Sequence, residues 1–322
     1  MAKVVRDHSD ERRAYIMEKI ISTPVSFPYV DFSVLRSILA IEERYNVAMN
    51  ILSEEQLEVI GLDSDHVPDL LLCRWQAAKY IIETLKEKEI SFVRAAEVCN
   101  LDKSYFSKYK KGERPLAIEA PALVPLCLNV LGESCNKVMF GEEGKVVLPG
   151  IYSLIARQFV SLPEDEQKEL LEMSKSARSD FYAKNPAMFG TGMHRNPDEL
   201  IRERLTELAY AEGKNSETFF GQNPPMYLWK ASKAYFENKP RYSPRMAFTI
   251  FLAFETGYAL DYFIVEDFTS LVPCYYREWD DYVKINDPIT LRFLGNLLAV
   301  DRETSVKMAA PVIAKAIDEK NS

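Results

Sequence analysis

The sequence predicts an all-α protein in which one helical unit is present twice. Apolar residues recur at helical spacing along most of the chain. Part of that pattern returns without a gap at an offset of 232 − 107 = 125 residues. No run of strand length alternates apolar and polar residues between hairpin turn signals, so no sheet is expected.

From the N-terminus, Glu11–Ser22 carries Tyr15, Ile16 and Ile20 at helix spacing, and Pro24 and Pro28 interrupt the pattern. Asp31 caps a second helical run through Met49, and Ser53-Glu54-Glu55-Gln56 reads as a capping box for a third. Residues 1–72 hold no chemistry motif, so this region is either a dimerisation or partner-binding element or a structural brace.

Residues 73–143 form the first well-punctuated unit. Ile81, Ile82 and Leu85 mark a helix, and Ser91 caps the next, Phe92 to Cys99. Asn100-Leu101 makes a turn, and Asp102 caps a third helix from Lys103 to Lys111, ended by Gly112. After Pro115 a fourth apolar helix, Ala122–Leu131, closes at Gly132 before Val138-Met139-Phe140-Gly141. Residues 144–182 then read as a helical hairpin, with Ile155, Phe159 and Leu162 on one face and a second helix opening at Pro163-Glu164.

The breakers Asn185-Pro186, Gly190, Gly192 and Asn196-Pro197 mark 183–198 as a linker. The pattern then starts again over 199–268. Ser107-Lys108 returns as Ser232-Lys233, Pro115 as Pro240, Ala122 as Ala247 and Gly132 as Gly257. Residues 269–322 read as a C-terminal helical hairpin, with Phe293, Leu297 and Val300 followed by a helix from about Asp301.

In the first copy, Ala95-Ala96, the turn Asn100-Leu101-Asp102 and the run Tyr105-Phe106-Ser107-Lys108-x-x-Lys111-Gly112-x-x-Pro115 resemble the lambda-repressor-like (XRE) helix-turn-helix family. The ending Val138-Met139-Phe140-Gly141-Glu142 is also similar to the last helix of that family. The resemblance implies tandem helix-turn-helix domains, the second divergent, in a cytoplasmic DNA-binding protein of bacterial or phage origin. In this motif the second helix of the pair lies in the major groove with its N-terminal residues toward base edges. Lys103, Ser104 and Lys108 are then the base-reading candidates, since lysine donates to guanine O6 and N7 and serine donates or accepts. Lys110, Lys111 and Arg114 fall where the family meets phosphate. Tyr105 and Tyr109 either touch phosphate through their hydroxyls or pack at the core, whereas Phe106 occupies a core position.

The charge pattern agrees with this. Residues 101–116 carry a net +3 and residues 226–245 a net +4, within a chain of net −8. Phosphate is met by a local patch rather than by the whole surface.

The second copy departs from the motif. Pro224-Pro225 replaces the turn, Leu228 and Trp229 stand where the first copy has Lys103 and Ser104, and Glu237 replaces Gly112. Lys233, Lys239, Arg241 and Arg245 can still contact phosphate, while Leu228 and Trp229 fit either thymine methyls or a protein partner.

Other chemistry is not indicated. The five cysteines form no C-x-x-C pair and read as buried, reduced thiols, and the three histidines are far apart. No Walker-type loop, G-x-S-x-G elbow or H-E-x-x-H pattern occurs, so neither an enzyme nor a cofactor or metal site is expected. No apolar run approaches the roughly 20 residues of a membrane span, and the charged start, Met1 to Arg13, has no apolar stretch of a secretory signal behind it. The expectation is a sequence-specific regulator bound to double-stranded DNA as a homodimer. The alternative is an assembly factor that uses the same modules as protein-binding surfaces.

Overall fold

A computed structural model of the chain describes residues 67–109, 116, 118–188, 194–215, 219, 249, 250, 252, 253 and 256–321. The N-terminal region 1–66 and most of the second copy from 216 to 248 lie outside these residues. The chain divides into two compact units, Met1–Glu142 with Pro244–Thr256, and Glu143–Ser243 with Gly257–Ser322.

Among its described residues the first unit holds helices joined by turns, and no strand. Helix α1 (Val67–Glu87) buries Ala77, Ala78, Ile81, Ile82 and Leu85, a stripe at helical spacing. Helix α2 (Phe92–Val98) starts where the Ser91 hydroxyl accepts from the Arg94 amide at 3.2 Å, and it buries Ala95 and Ala96. Helix α3 (Ala120–Pro125) contains Pro125, which has no amide to give to the preceding turn. The chain there loosens into a π-wound turn, Leu126–Leu131, ended by Gly132 at φ +67°. The Lys88 ammonium donates to the Leu131 carbonyl, a cation placed at a helix C-terminus. Helix α4 (Cys135–Phe140) is capped by Ser134 and stopped by Gly141.

The second unit is mixed. It holds strand β1 (Val146–Val147), helices α5 (Gly150–Ser161), α6 (Glu164–Lys184), α7 (Pro197–Ala211) and α8 (Leu260–Ile264), then strands β2 (Cys274–Glu278) and β3 (Asp281–Lys284), and finally helices α9 (Pro288–Leu298) and α10 (Arg302–Asn321). The two helical pairs, α5–α6 and α9–α10, pack crosswise: α9 lies along α6, and α10 along α5. Phe159 and Phe293 stack at the centre, with ring centroids 4.2 Å apart.

The sheet corrects the all-α expectation. The fold is mostly helical, but β1 pairs parallel with β2, and β2 pairs antiparallel with β3 in the order β1-β2-β3. The hairpin occupies 274–284, inside the stretch 269–322 expected to be a helical hairpin, and the helical pair follows it. The sequence signal was weak because the two-residue turn between Glu278 and Asp281 is Trp279-Asp280, which has neither Gly nor Asn. Trp279 takes φ +55° there, a conformation that Gly adopts without cost.

Within the breaker-rich stretch 183–198, Arg195 is fully buried and pairs with Glu203 at 2.8 Å. Arg204 is buried too, 5.1 Å over the Tyr262 ring, and donates to the Leu298 carbonyl at 2.8 Å. Arg195 reaches the next two carbonyls, Ala299 and Val300. Both cations therefore sit at the negative end of α9, where unsatisfied carbonyls offset their desolvation.

Candidate nucleic-acid interface

The first copy's turn is built by backbone hydrogen bonds. The Leu101 amide donates to the Ala96 carbonyl at 2.8 Å and the Asn100 amide to Glu97 at 3.1 Å, with Asn100 at φ +54°. This is a Schellman ending with asparagine in the left-handed position, which its short polar side chain tolerates better than most residues. Asp102 then caps the next segment, its carboxylate accepting from the Ser104 amide at 2.8 Å and from the Ser104 hydroxyl. Those two bonds hold the Asp102 carboxyl below its ordinary pKa.

The segment after the cap differs from the expected α-helix 103–111. The amides of Tyr105, Ser107, Lys108 and Tyr109 each donate three residues back, to Asp102, Ser104, Tyr105 and Phe106. The described part is therefore wound as 3-10 turns, with a 3-10 helix at Phe106–Lys108. A 3-10 helix advances about 120° per residue against about 100° for an α-helix, so over five residues the directions diverge by about 100°. Lys108 therefore leaves the segment on the other side from where an α-helix would put it, about 120° from Lys103 rather than about 140°, and the two share no face in either winding.

Of the expected contacts, Lys103, Ser104, Tyr105 and Lys108 fall among the described residues. Lys103 is exposed and lies 3.6 Å from Glu97 across the turn. Ser104 is exposed, but its hydroxyl is bonded to Asp102. Lys108 is exposed, and Phe106 beneath it is buried. Tyr109 is also buried, so it packs in the core, and Tyr105 is half-buried at the rim. Lys110, Lys111 and Arg114, and in the second copy Leu228, Trp229, Lys233, Lys239, Arg241 and Arg245, lie outside the described residues.

This arrangement can present two cations from a fixed support. The Lys103–Glu97 pair is solvent-exposed on both sides, so a phosphate or a base edge can replace Glu97 at little cost. Phe106, Ala95 and Ala96 anchor the segment from below, which fixes where the two lysines emerge.

The second unit carries a surface to which the sequence reading gave no role. A cleft of about 570 Å³ is lined by Tyr258, Trp279, Tyr282, Arg157, Arg277 and Glu212, among others. Trp279 is 86% exposed and Tyr282 59%, the largest exposures among the aromatic residues of the hairpin. The run Tyr275-Tyr276-Arg277-Glu278-Trp279 was the available signal, since aromatic residues favour strands.

Four cysteines, Cys99, Cys127, Cys135 and Cys274, are buried and form no disulfide, and burial pushes the Cys99 thiol pKa up to about 12. Among the described residues no cluster of three or more His, Cys, Asp or Glu is arranged to hold a metal ion, and no helix is long and apolar enough to cross a membrane. No family model matches the chain, and no curated protein or solved structure matches it either.

Proposed function

We propose that the protein binds double-stranded DNA sequence-specifically as a transcriptional regulator, reading the major groove with the segment 103–111. One observation supports this above all. A Schellman turn at Asn100, a cap at Asp102 and the buried Phe106 together support a short segment whose exposed cations are Lys103 and Lys108. Rigid support of that kind is what direct readout requires, because a base contact discriminates only when the donor is held in register. Lys110, Lys111, Arg114 and the rim residue Tyr105 supply phosphate contacts, and with them the salt dependence of binding.

The second copy is a divergent module of the same kind. Gly132 and Gly257, 257 − 132 = 125 residues apart, both take left-handed backbone, at φ +67° and +69°. Helices α4 and α8 begin at Cys135 and Leu260, again 260 − 135 = 125 residues apart. In this module Lys233, Lys239, Arg241 and Arg245 meet phosphate, and Leu228 with Trp229 meets a partner chain. The protein works as a cytoplasmic homodimer, so that two first modules engage two half-sites.

Selection of bound sequences from a random duplex pool tests this reading. A consensus with two half-sites is expected, with affinity falling steeply as salt rises. A pool that stays random after repeated rounds, with no binding to any duplex at low salt, would overturn it. A second reading, an assembly factor that uses these modules as protein-binding surfaces, is favoured by one observation. Lys103 and Ser104 already have partners in Glu97 and Asp102.

A further inference from the structure

We propose that the cleft beside the β2–β3 hairpin binds single-stranded nucleic acid, with Trp279 as its base-stacking platform. Trp279 stands in the turn between β2 and β3. A tryptophan at φ +55° in a two-residue hairpin turn occupies a place that glycine would fill with less strain. Its side chain recovers nothing by burial, since it is 86% exposed. An exposed aromatic held in an unfavourable backbone conformation is expected at a ligand site rather than in a structural turn.

The rest of the cleft defines the ligand's chemistry. Tyr258 and Tyr282 add two more aromatic side chains to the lining. Arg157 and Arg277 supply its two cations, and neither forms an ion pair among the described residues. Arg277 is held in place: its Nε donates to the Trp279 carbonyl at 3.1 Å, and its amide donates to the Ser153 hydroxyl at 2.7 Å. The one carboxylate of the lining, Glu212, is paired with Lys214 at 2.6 Å. The hairpin's own carboxylates, Glu278, Asp280 and Asp281, do not line the cleft.

Aromatic faces beside unpaired guanidinium groups match a ligand that alternates flat bases with phosphates, and stacking of this kind tolerates any base. A double helix keeps its base faces covered, so the match is to an unpaired strand. The exposed position of Trp279 suits a ligand that continues past the cleft, as a strand does and a free nucleotide does not.

Binding of fluorescein-labelled oligothymidylate of twelve residues to the full-length protein at low salt, read by anisotropy, tests the proposal. Trp279→Ala is expected to weaken binding about tenfold or more. Trp279→Phe, which restores an aromatic face, should recover most of the loss. Arg277→Ala should weaken binding and flatten its salt dependence, and Tyr210→Ala, an exposed tyrosine outside the cleft, should change nothing. Three results would each overturn the proposal: no binding by the parent protein, equal binding by the parent and Trp279→Ala, or thymidine monophosphate competing as well as the oligonucleotide per nucleotide. A Trp279→Ala variant that loses affinity for duplex but not for the single strand would also overturn it. The duplex reading stands or falls separately, on Lys103 and Lys108.

Discussion

The Tyr109 hydroxyl donates to the Tyr105 hydroxyl at 2.9 Å, and their ring centroids lie 5.2 Å apart. One ring of the pair is buried and the other reaches the rim, so the bond joins the core to the exposed end of the 103–109 segment. Tyr109→Phe keeps the ring and removes the donor. It should lower stability by about 0.5–1.5 kcal/mol in urea unfolding. Tyr109→Ala also empties the core position and should cost about 3 kcal/mol or more. Equal unfolding midpoints for the parent and both variants would remove the pair from the support of this segment.

Asn100 separates the geometry of the turn from its chemistry. At φ +54° a β-branched side chain is strained, so Asn100→Val should destabilise by about 1–2 kcal/mol. Asn100→Gly accepts the same backbone and should change stability by less than about 1 kcal/mol. If the Val and Gly variants unfold at the same urea concentration, the left-handed turn does not form.

Lys103→Ala and Lys108→Ala should each lose about 1–3 kcal/mol on a preferred duplex. Because the two side chains leave the 3-10 segment about 120° apart, each variant should relax preference at a different base pair. Titration of single-position operator variants checks both parts. The base-reading assignment fails if both variants bind every duplex as the parent does.

Gly295 on α9 lies where a Cβ would come within 2.3 Å of the Asp267 carboxylate and 2.8 Å of the Thr269 hydroxyl. Asp267 cannot easily yield, because Arg178 holds it at 3.1 Å and Thr269 at 3.0 Å. Gly295→Ala should therefore lower stability by roughly 1–3 kcal/mol, as overpacking does, although alanine is the better helix former. A melting temperature equal to or above the parent's would show that the network yields freely.

Glu207 gives the second unit a pH dependence of definite sign. Burial raises its pKa above the ordinary 4.5, more than Arg204 and the Tyr152 hydrogen bond lower it. Its Oε2 has no hydrogen-bond partner among the described residues, and a protonated carboxyl suits that surrounding. A raised folded pKa means a stability contribution that is full below the unfolded value and lost as pH rises through the folded one. Glu207→Gln should flatten the decline in urea midpoint between pH 4.5 and 8, and should be more stable than the parent at the upper end. A parent protein whose midpoint rises over that interval while the variant's stays level would reverse the sign.

What the sequence revealed was what is decided locally. Ser91, Asp102 and Gly132 act within five residues of themselves, and each stands where the pattern put it. The 3-10 winding was not legible, because Lys103 to Lys108 is too short a run to separate a period of 3.0 from one of 3.6. The hairpin was hidden by its turn, where Trp279-Asp280 stands in place of the usual Gly or Asn. Nothing near Arg195 and Arg204 in the sequence announces their burial, since their partners are carbonyls at Leu298 to Val300, about a hundred positions along the chain.

The parallel pair β1–β2 also has a consequence for synthesis. Val146 pairs with Cys274, so β1 leaves the ribosome 274 − 146 = 128 residues before its partner. At about 5–20 residues per second the wait is roughly 6–25 seconds. Phe159 waits as long for Phe293, which leaves the apolar faces of α5 and α6 uncovered meanwhile. The first unit waits too, because its segment Pro244–Thr256 is made after most of the second unit has begun. Neither unit can close while the chain is half made, and nascent chains stalled between residues 160 and 250 should be those that chaperones retain and proteases cut.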